Sequence, residues 1–240
     1  MDGEAHGSEP QVMRAEQAAA FLAQTELFGE LDGDALERVA EQAIRRSYKK
    51  GSVIFTQGDR SDSLFVLVEG LLKVVVTSEQ GEEMVLVTLR PPATFGELAF
   101  VDGGPRSASV EVVEPTTVLA FERVTLLELV QRYPAVGVGL LRSLGRVLRR
   151  LTDQASDLVF LDLHGRVAKL LVRFAEAEAA ADEVVLDLHL TQGDIARMVG
   201  GSRQSVNQIL RALADSGYLE IRGRRIVIKE LDQLRRRAGV

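Results

Sequence analysis

Phe95-Gly96-Glu97-Leu98-Ala99-Phe100, continued by Val101-Asp102-Gly103-Gly104-Pro105-Arg106-Ser107-Ala108-Ser109, lies inside a 240-residue chain and sets the reading of what surrounds it. Gly96 lets the backbone approach a ligand closely. A short helical turn led by Glu97 exposes N–H groups that no helical carbonyl takes up, and its dipole favours an anion. Arg106 offers a planar fork matched to phosphate oxygens, and Ser107 adds a hydroxyl donor. Glu97, acceptor-only when ionised, suits a sugar hydroxyl. The same residues would also make a tight β-turn with a surface ion pair, so chemistry alone leaves both readings open.

Around this stretch the chain reads as short strands. Ser52–Phe55, Leu64–Val68, Leu71–Thr77, Met84–Leu89, Ala108–Val112 and Thr117–Phe121 are runs rich in β-branched residues. They are punctuated by Gly51, Gly58, Gly70, Gly81, Pro91-Pro92 and Gly103-Gly104, which predicts an antiparallel sandwich, jelly roll or small barrel. Upstream, Phe28, Leu31, Leu36, Val39 and Ala40 predict short amphipathic helices between Phe21 and Ile44. Residues 1–20, ending in an alanine run, read as a flexible leader.

Downstream of Pro134 the period becomes helical for almost thirty residues. Leu141, Leu144, Leu148, Leu151, Ala155 and Leu158 follow one another at intervals of 3, 4, 3, 4 and 3, with Arg142, Arg146, Arg149 and Arg150 alongside. That is the a/d seam of a coiled coil and predicts a symmetric homodimer; a long helix packed on its own barrel is the alternative. From Leu163 the order is helix (Leu163–Glu178), strand (Val184–Leu190), helix, tight turn, helix and a hairpin over Leu219–Ile228. Thr191 with Asp194 outlines a capping box, Gly200-Gly201 a sharp turn, and Ser202 the cap of a helix running to about Asp215. Two helices about a short glycine-containing turn form a helix-turn-helix. Arg222, Arg224 and Arg225 make the hairpin tip a basic wing, which a generic three-helix unit would not explain.

Composition bounds the chemistry. With 46% hydrophobic and 27% charged residues the chain can bury a core. Zero cysteines exclude disulfides, thiol nucleophiles, thiolate-bound zinc and cysteine-held iron–sulfur clusters. Three histidines (His6, His164, His189) leave little for a metal site. No apolar run reaches membrane-span length, and Met1–Pro10 is unlike a signal peptide, so a soluble, cytoplasmic protein without a membrane partner is expected. The net charge of −6 divides unevenly. Leu163–Val240 holds 13 Lys+Arg against 10 Asp+Glu, or +3, and the rest 16 against 25, or −9. Any nucleic acid therefore belongs to the back of the chain.

Gly96-Glu97-Leu98 with Pro105-Arg106-Ser107-Ala108 resembles the phosphate-binding cassette of cyclic-nucleotide-binding domains. Joined to Thr191-Gln-Gly-Asp-Ile-Ala and Gly200-Gly-Ser-Arg-Gln-Ser-Val-Asn, it resembles the cyclic-AMP receptor (CRP/FNR) family of bacterial transcription regulators. Phe160-Leu161-Asp162, then Gly165-Arg166-Val167-Ala168, is similar to that family's hinge and the start of its DNA-binding domain. The resemblance runs from about Thr25 to the C-terminus. It implies an α+β fold: an N-terminal cyclic-nucleotide-binding β-roll over 21–133, a dimerisation helix and hinge over 134–161, and a winged helix-turn-helix over 162–240.

The resemblance also implies roles. Gly96, Glu97 and Leu98 would meet sugar and phosphate, Arg106 and Ser107 the phosphate, and Thr152 the adenine of cyclic AMP. Two positions depart from the family: Leu151 stands where it has Thr, and Val147 where several members have an Arg. Two readings follow, a cyclic-AMP receptor with a modified pocket, or a dimer that needs no cyclic AMP or answers another effector. No metal, haem or iron–sulfur cluster is expected; haem-sensing members use a sensor-domain His, and none lies between His6 and His164. On the DNA side Arg203 would read guanine O6/N7, while Gln204 and Gln208 replace the family's Glu and second Arg. The half-site should keep one strong guanine and depart from TGTGA at one or two neighbouring steps. Thr191, Ser202 and Ser205 would touch phosphates, with Arg222, Arg224 and Arg225 adding salt-dependent affinity. Ligand would bias two arrangements of the heads about a hinge near Leu161–Leu163. The expected partners are a near-palindromic DNA operator, a second copy of the chain and, by extension, RNA polymerase. A phosphodiesterase would need a metal cluster or a nucleophile–base pair, which the sequence lacks, and a nucleotide-binding subunit without DNA would not need the helix-turn-helix.

Overall fold

The computed structural model describes residues 15–60, 63–178, 184–187, 189–223 and 225–239. Two helices open it: α1 (Ala15–Leu22) and α2 (Gly33–Glu41), the latter started by Asp32, whose Oδ1 accepts from Ala35 N–H at 2.8 Å. α1 buries Ala18, Ala19 and Leu22, so the expected leader is shorter than 20 residues, and what precedes Ala15 lies outside the described residues. The alanines expected to end a loose tail instead form the small-residue face of a packed helix.

Six strands follow: β1 (Ile44–Tyr48), β2 (Val53–Phe55), β3 (Leu64–Thr77), β4 (Glu83–Leu89), β5 (Ala93–Phe95) and β6 (Ser109–Phe121). They make an antiparallel sheet in the order β1-β6-β3-β4, with β2 on β6 and β5 on β3. Two pairs of expected runs are each a single strand. β3 passes through Gly70 at φ 100°, where the register against β6 shifts; a Cβ there would stand 2.4 Å from the Thr116 hydroxyl. β1 and β5 were not expected: Ile-Arg-Arg-Ser-Tyr is too polar to read as a strand, and Ala93–Phe95 is too short.

Leu64–Leu67 shows why the central strands do not alternate polar with apolar. Phe65 and Leu67 point into the roll with Phe95, Val110 and Val118. Leu64 and Val66 point the other way, against Phe28, Leu126 and Leu140 of the helical layer. A strand buried on both faces reads as a continuous apolar run.

The helix α3 (Glu97–Asp102) leaves the roll between β5 and β6. After β6, α4 (Arg123–Arg132) leads into α5 (Pro134–Phe160), which starts with Pro at its first turn, where a missing N–H costs nothing. α5 buries Val136, Gly139, Leu140 and Ser143 against its own domain. Its heptad leucines take no part in that packing: Leu141 is 69% and Leu148 66% exposed. No single described helix is long and apolar enough to cross a membrane.

The back of the chain holds α6 (Leu163–Glu178), β7 (Val184–Asp187), α7 (Gln192–Val199), α8 (Arg203–Asp215), β8 (Leu219–Arg222), β9 (Arg225–Ile228) and α9 (Leu231–Ala238). β7 ends three residues before the expected Leu190, and α9 was not expected. The sheet order is β7-β9-β8, and Val167, Leu171, Ile195, Val206, Leu210 and Leu234 share one core. Charged side chains tie this unit to the roll. Lys73 of β3 lies 2.8 Å from Glu111 and 3.3 Å from Asp194 of α7, and Arg197 of α7 pairs with both Asp194 and Glu83 of β4.

Candidate functional site

A cavity of about 500 Å³ opens between the roll, α3 and the middle of α5. That size is usual for a small-molecule site. Gly96, Glu97, Leu98, Arg106 and Ser107 all line it, so the structure brings five of the six expected ligand residues together.

The local fold explains the positions. Gly96 caps α3 at φ 84°, ψ 11°, and a Cβ there would sit 2.7 Å from Arg106 Nη1. Arg106 is only 2% exposed. It donates from Nη1 to the Gly96 carbonyl at 2.8 Å and from Nη2 to the Ser63 carbonyl at 2.6 Å, and its guanidinium lies 4.1 Å from the centre of the Phe55 ring. The fork expected to face solvent as a phosphate clamp is thus also a fixture of the cavity wall, held flat by stacking. Glu97 is buried, and burial pushes its carboxyl above the ordinary range; its own backbone N–H, Arg150 and Arg106 oppose the shift.

Thr152 departs from expectation. It is exposed, outside the cavity lining, and donates its hydroxyl to the Leu148 carbonyl at 3.0 Å. Successive helix residues point about 100° apart, so Leu151 faces the cavity where Thr152 does not. Val147, Arg150 and Gln154 complete that wall. Gln154 donates from Nε2 to the Leu86 carbonyl of β4 at 2.6 Å, fastening the helix to the roll. Arg150 and Gln154 were missed as site residues; Arg150 was visible only as one of four arginines beside the seam.

In the helix-turn-helix, the Thr191–Asp194 capping box closes in both directions. Asp194 N–H donates to the Thr191 hydroxyl at 3.1 Å, and that hydroxyl donates to Asp194 Oδ2 at 2.7 Å. The Thr191 side chain is therefore committed to the box. Burial works against the Asp194 carboxylate, yet hydrogen bonds from Thr191 and Arg197, with the charge of Lys73, outweigh it and hold the pKa down at about 2. Ser202 caps α8, accepting from Ser205 N–H at 3.0 Å. Arg203, Gln204 and Gln208 are exposed, while Val206, Ile209, Leu210 and Leu213 bury the opposite face. Asn207 donates to Gln192 Oε1 at 3.2 Å and fixes α8 against α7. Ser205 is half-buried. At the wing, Arg222 donates from Nε and Nη2 to the two Glu220 oxygens at 2.8 and 2.7 Å, so this arginine is neutralised locally. Arg225 is exposed, and Arg224 lies outside the described residues.

Comparison with known proteins agrees with this arrangement. Residues 45–133 match the cyclic nucleotide-binding domain, and residues 165–237 the Crp-like helix-turn-helix domain. A CRP-like cAMP-activated global transcriptional regulator of Mycobacterium tuberculosis is 33% identical over 222 residues, 91% of this chain and 98% of that protein. The catabolite activator protein of Thermus thermophilus has a solved structure that is 30% identical, with a TM-score of 0.53, covering 90% of this chain and 99% of its own. FixK2 of Bradyrhizobium japonicum, 22% identical with a TM-score of 0.73 over 81% of this chain and 96% of its own, shares the fold. With a nucleotide-binding roll ahead of a helix-turn-helix and a relative matched over almost its whole length, the chain belongs to the CRP/FNR family, whose members are transcription regulators rather than enzymes.

Proposed function

We propose that the protein is a homodimeric, sequence-specific DNA-binding regulator controlled by a cyclic nucleotide, cyclic AMP, and acting in the cytoplasm. One observation carries the reading: the cavity joins the cassette residues Gly96–Ser107 to the helix that bears the exposed leucine seam. A ligand there touches sensor and dimer element together. The phosphate would lie beside Arg106 and Ser107, the sugar beside Glu97, and the base toward Val147 and Leu151. Thr152 faces away from its own chain's cavity, so any contact it makes with ligand would be in the cavity of a second copy. Packing Leu141, Leu148, Leu151 and Leu158 against their symmetry mates would bury the seam and place two α8 helices to read half-sites about one DNA turn apart. Arg203 would read guanine, Gln204 and Gln208 would shift neighbouring steps toward adenine, and bound dimers would address RNA polymerase.

Isothermal titration with cyclic AMP tests the sensor. Heat with the wild type and a large loss in Arg106→Ala is expected; no heat with the wild type refutes it. Footprinting tests the reader: Arg203→Ala should abolish operator selectivity, and an unchanged footprint refutes the role. A second reading, activity without cyclic AMP, draws on Val147 and Leu151, which line the cavity with apolar side chains. Operator binding equal with and without the nucleotide would favour it.

A further inference from the structure

Three arginines line the cavity, and two are already committed. Arg106 is bonded to the Gly96 and Ser63 carbonyls, and Arg146 pairs with Glu26. Arg150, on α5 between Val147 and Leu151, is half-buried in the cavity wall. Among the described residues it makes no hydrogen bond and no ion pair. A half-buried guanidinium without an acceptor is costly unless something supplies one.

Its counterpart is Glu97. The two make no direct ion pair, yet of the two cations acting on Glu97, Arg150 acts more strongly than Arg106. A group bridging them must accept from a guanidinium and donate to a carboxylate. Phosphate oxygens only accept, and an exocyclic amine chiefly donates; a hydroxyl does both. A 3′,5′-cyclic nucleotide has its 3′ and 5′ oxygens esterified, so its sugar carries one hydroxyl, the 2′-OH.

We propose that Arg150 is a specificity-determining residue which, with Glu97, brackets the ribose 2′-hydroxyl, selecting ribonucleotides over deoxyribonucleotides and tying the ligand to the central helix. The inference rests on the cyclic-nucleotide reading. It also accounts for Val147: the guanidinium absent there is supplied three residues later, on the same face of the helix.

The test titrates cyclic AMP and its 2′-deoxy counterpart against wild type and Arg150→Met, with Arg150→Gln as a second variant should the first not fold. The wild type should prefer the ribo form. Arg150→Met should lose about tenfold of that preference, the worth of one hydrogen bond to a charged group, with affinity for the deoxy form unchanged. A preference reduced less than threefold in a folded variant overturns the role of Arg150 and leaves the cyclic-nucleotide reading standing, as does a wild type that binds both forms equally. A wild type that binds neither form overturns both.

Discussion

Replacing Asp194 by asparagine removes a carboxylate that serves two structures at once. Oδ2 accepts from the Thr191 backbone N–H at 2.9 Å and from its hydroxyl at 2.7 Å, and Oδ1 faces Arg197 at 2.7 Å and Lys73 at 3.3 Å. Asparagine keeps one oxygen and turns an NH2 group toward donors that cannot accept it. The side chain is only 10% exposed, so water replaces little of what is lost. The native pKa of about 2, against 3.8 in the unfolded chain, corresponds to about 2 kcal/mol of stabilisation at neutral pH. A folded-state pKa below the unfolded value gives stability that is complete above 3.8 and lost as pH falls through about 2. Denaturant unfolding should therefore show Asp194→Asn about 2 kcal/mol less stable at neutral pH. The gap should narrow by about 1 kcal/mol on acidification to about pH 3. A gap that stays constant with pH, or one below about 0.5 kcal/mol throughout, refutes the reasoning.

Gly96→Ala places a methyl group 2.7 Å from Arg106 Nη1 in a left-handed backbone; unfolding should show a loss of about 2 kcal/mol, with weakened nucleotide binding in titration. Leu148→Glu lies on a side chain already 66% exposed, so the chain's own folding should change by less than about 0.5 kcal/mol, while sedimentation should show the homodimer dissociated. Glu83→Gln removes one end of a half-exposed ion pair with Arg197; the cost to global stability should stay within about 1 kcal/mol, and hydrogen exchange should report faster opening of α7.

Legibility followed range. Ser202 and Thr191 could be read as caps because a cap reaches only three residues along the chain, and the bonds from Ser205 N–H and Asp194 N–H are of that kind. The α5 period was equally plain, since each heptad leucine repeats a neighbour's environment. Gly96, Glu97, Leu98, Arg106 and Ser107 were found because the cassette places them within eleven consecutive positions. Failures came where commitment is set at a distance. Thr152 was assigned to the ligand from its place in a motif, but one residue of helix rotation gives the cavity to Leu151. Arg222 was counted as wing basicity, but Glu220, two residues away along the strand, occupies its fork.

From sequence alone come the two-part organisation, the capped helix-turn-helix, the long seam and the anion-binding stretch, all written in spacings of a few residues and in the charge contrast between −9 and +3. Tertiary structure decided what those side chains face. Arg106 meets Ser63 across 43 positions, Gln154 meets Leu86 across 68, and Lys73 meets Asp194 across 121. No local pattern encodes such pairings, because they depend on how strands and helices pack once both faces of the sheet are covered. That packing also sets Arg150 in the cavity wall opposite Glu97, where a run of seam-side arginines becomes one residue able to read a ligand.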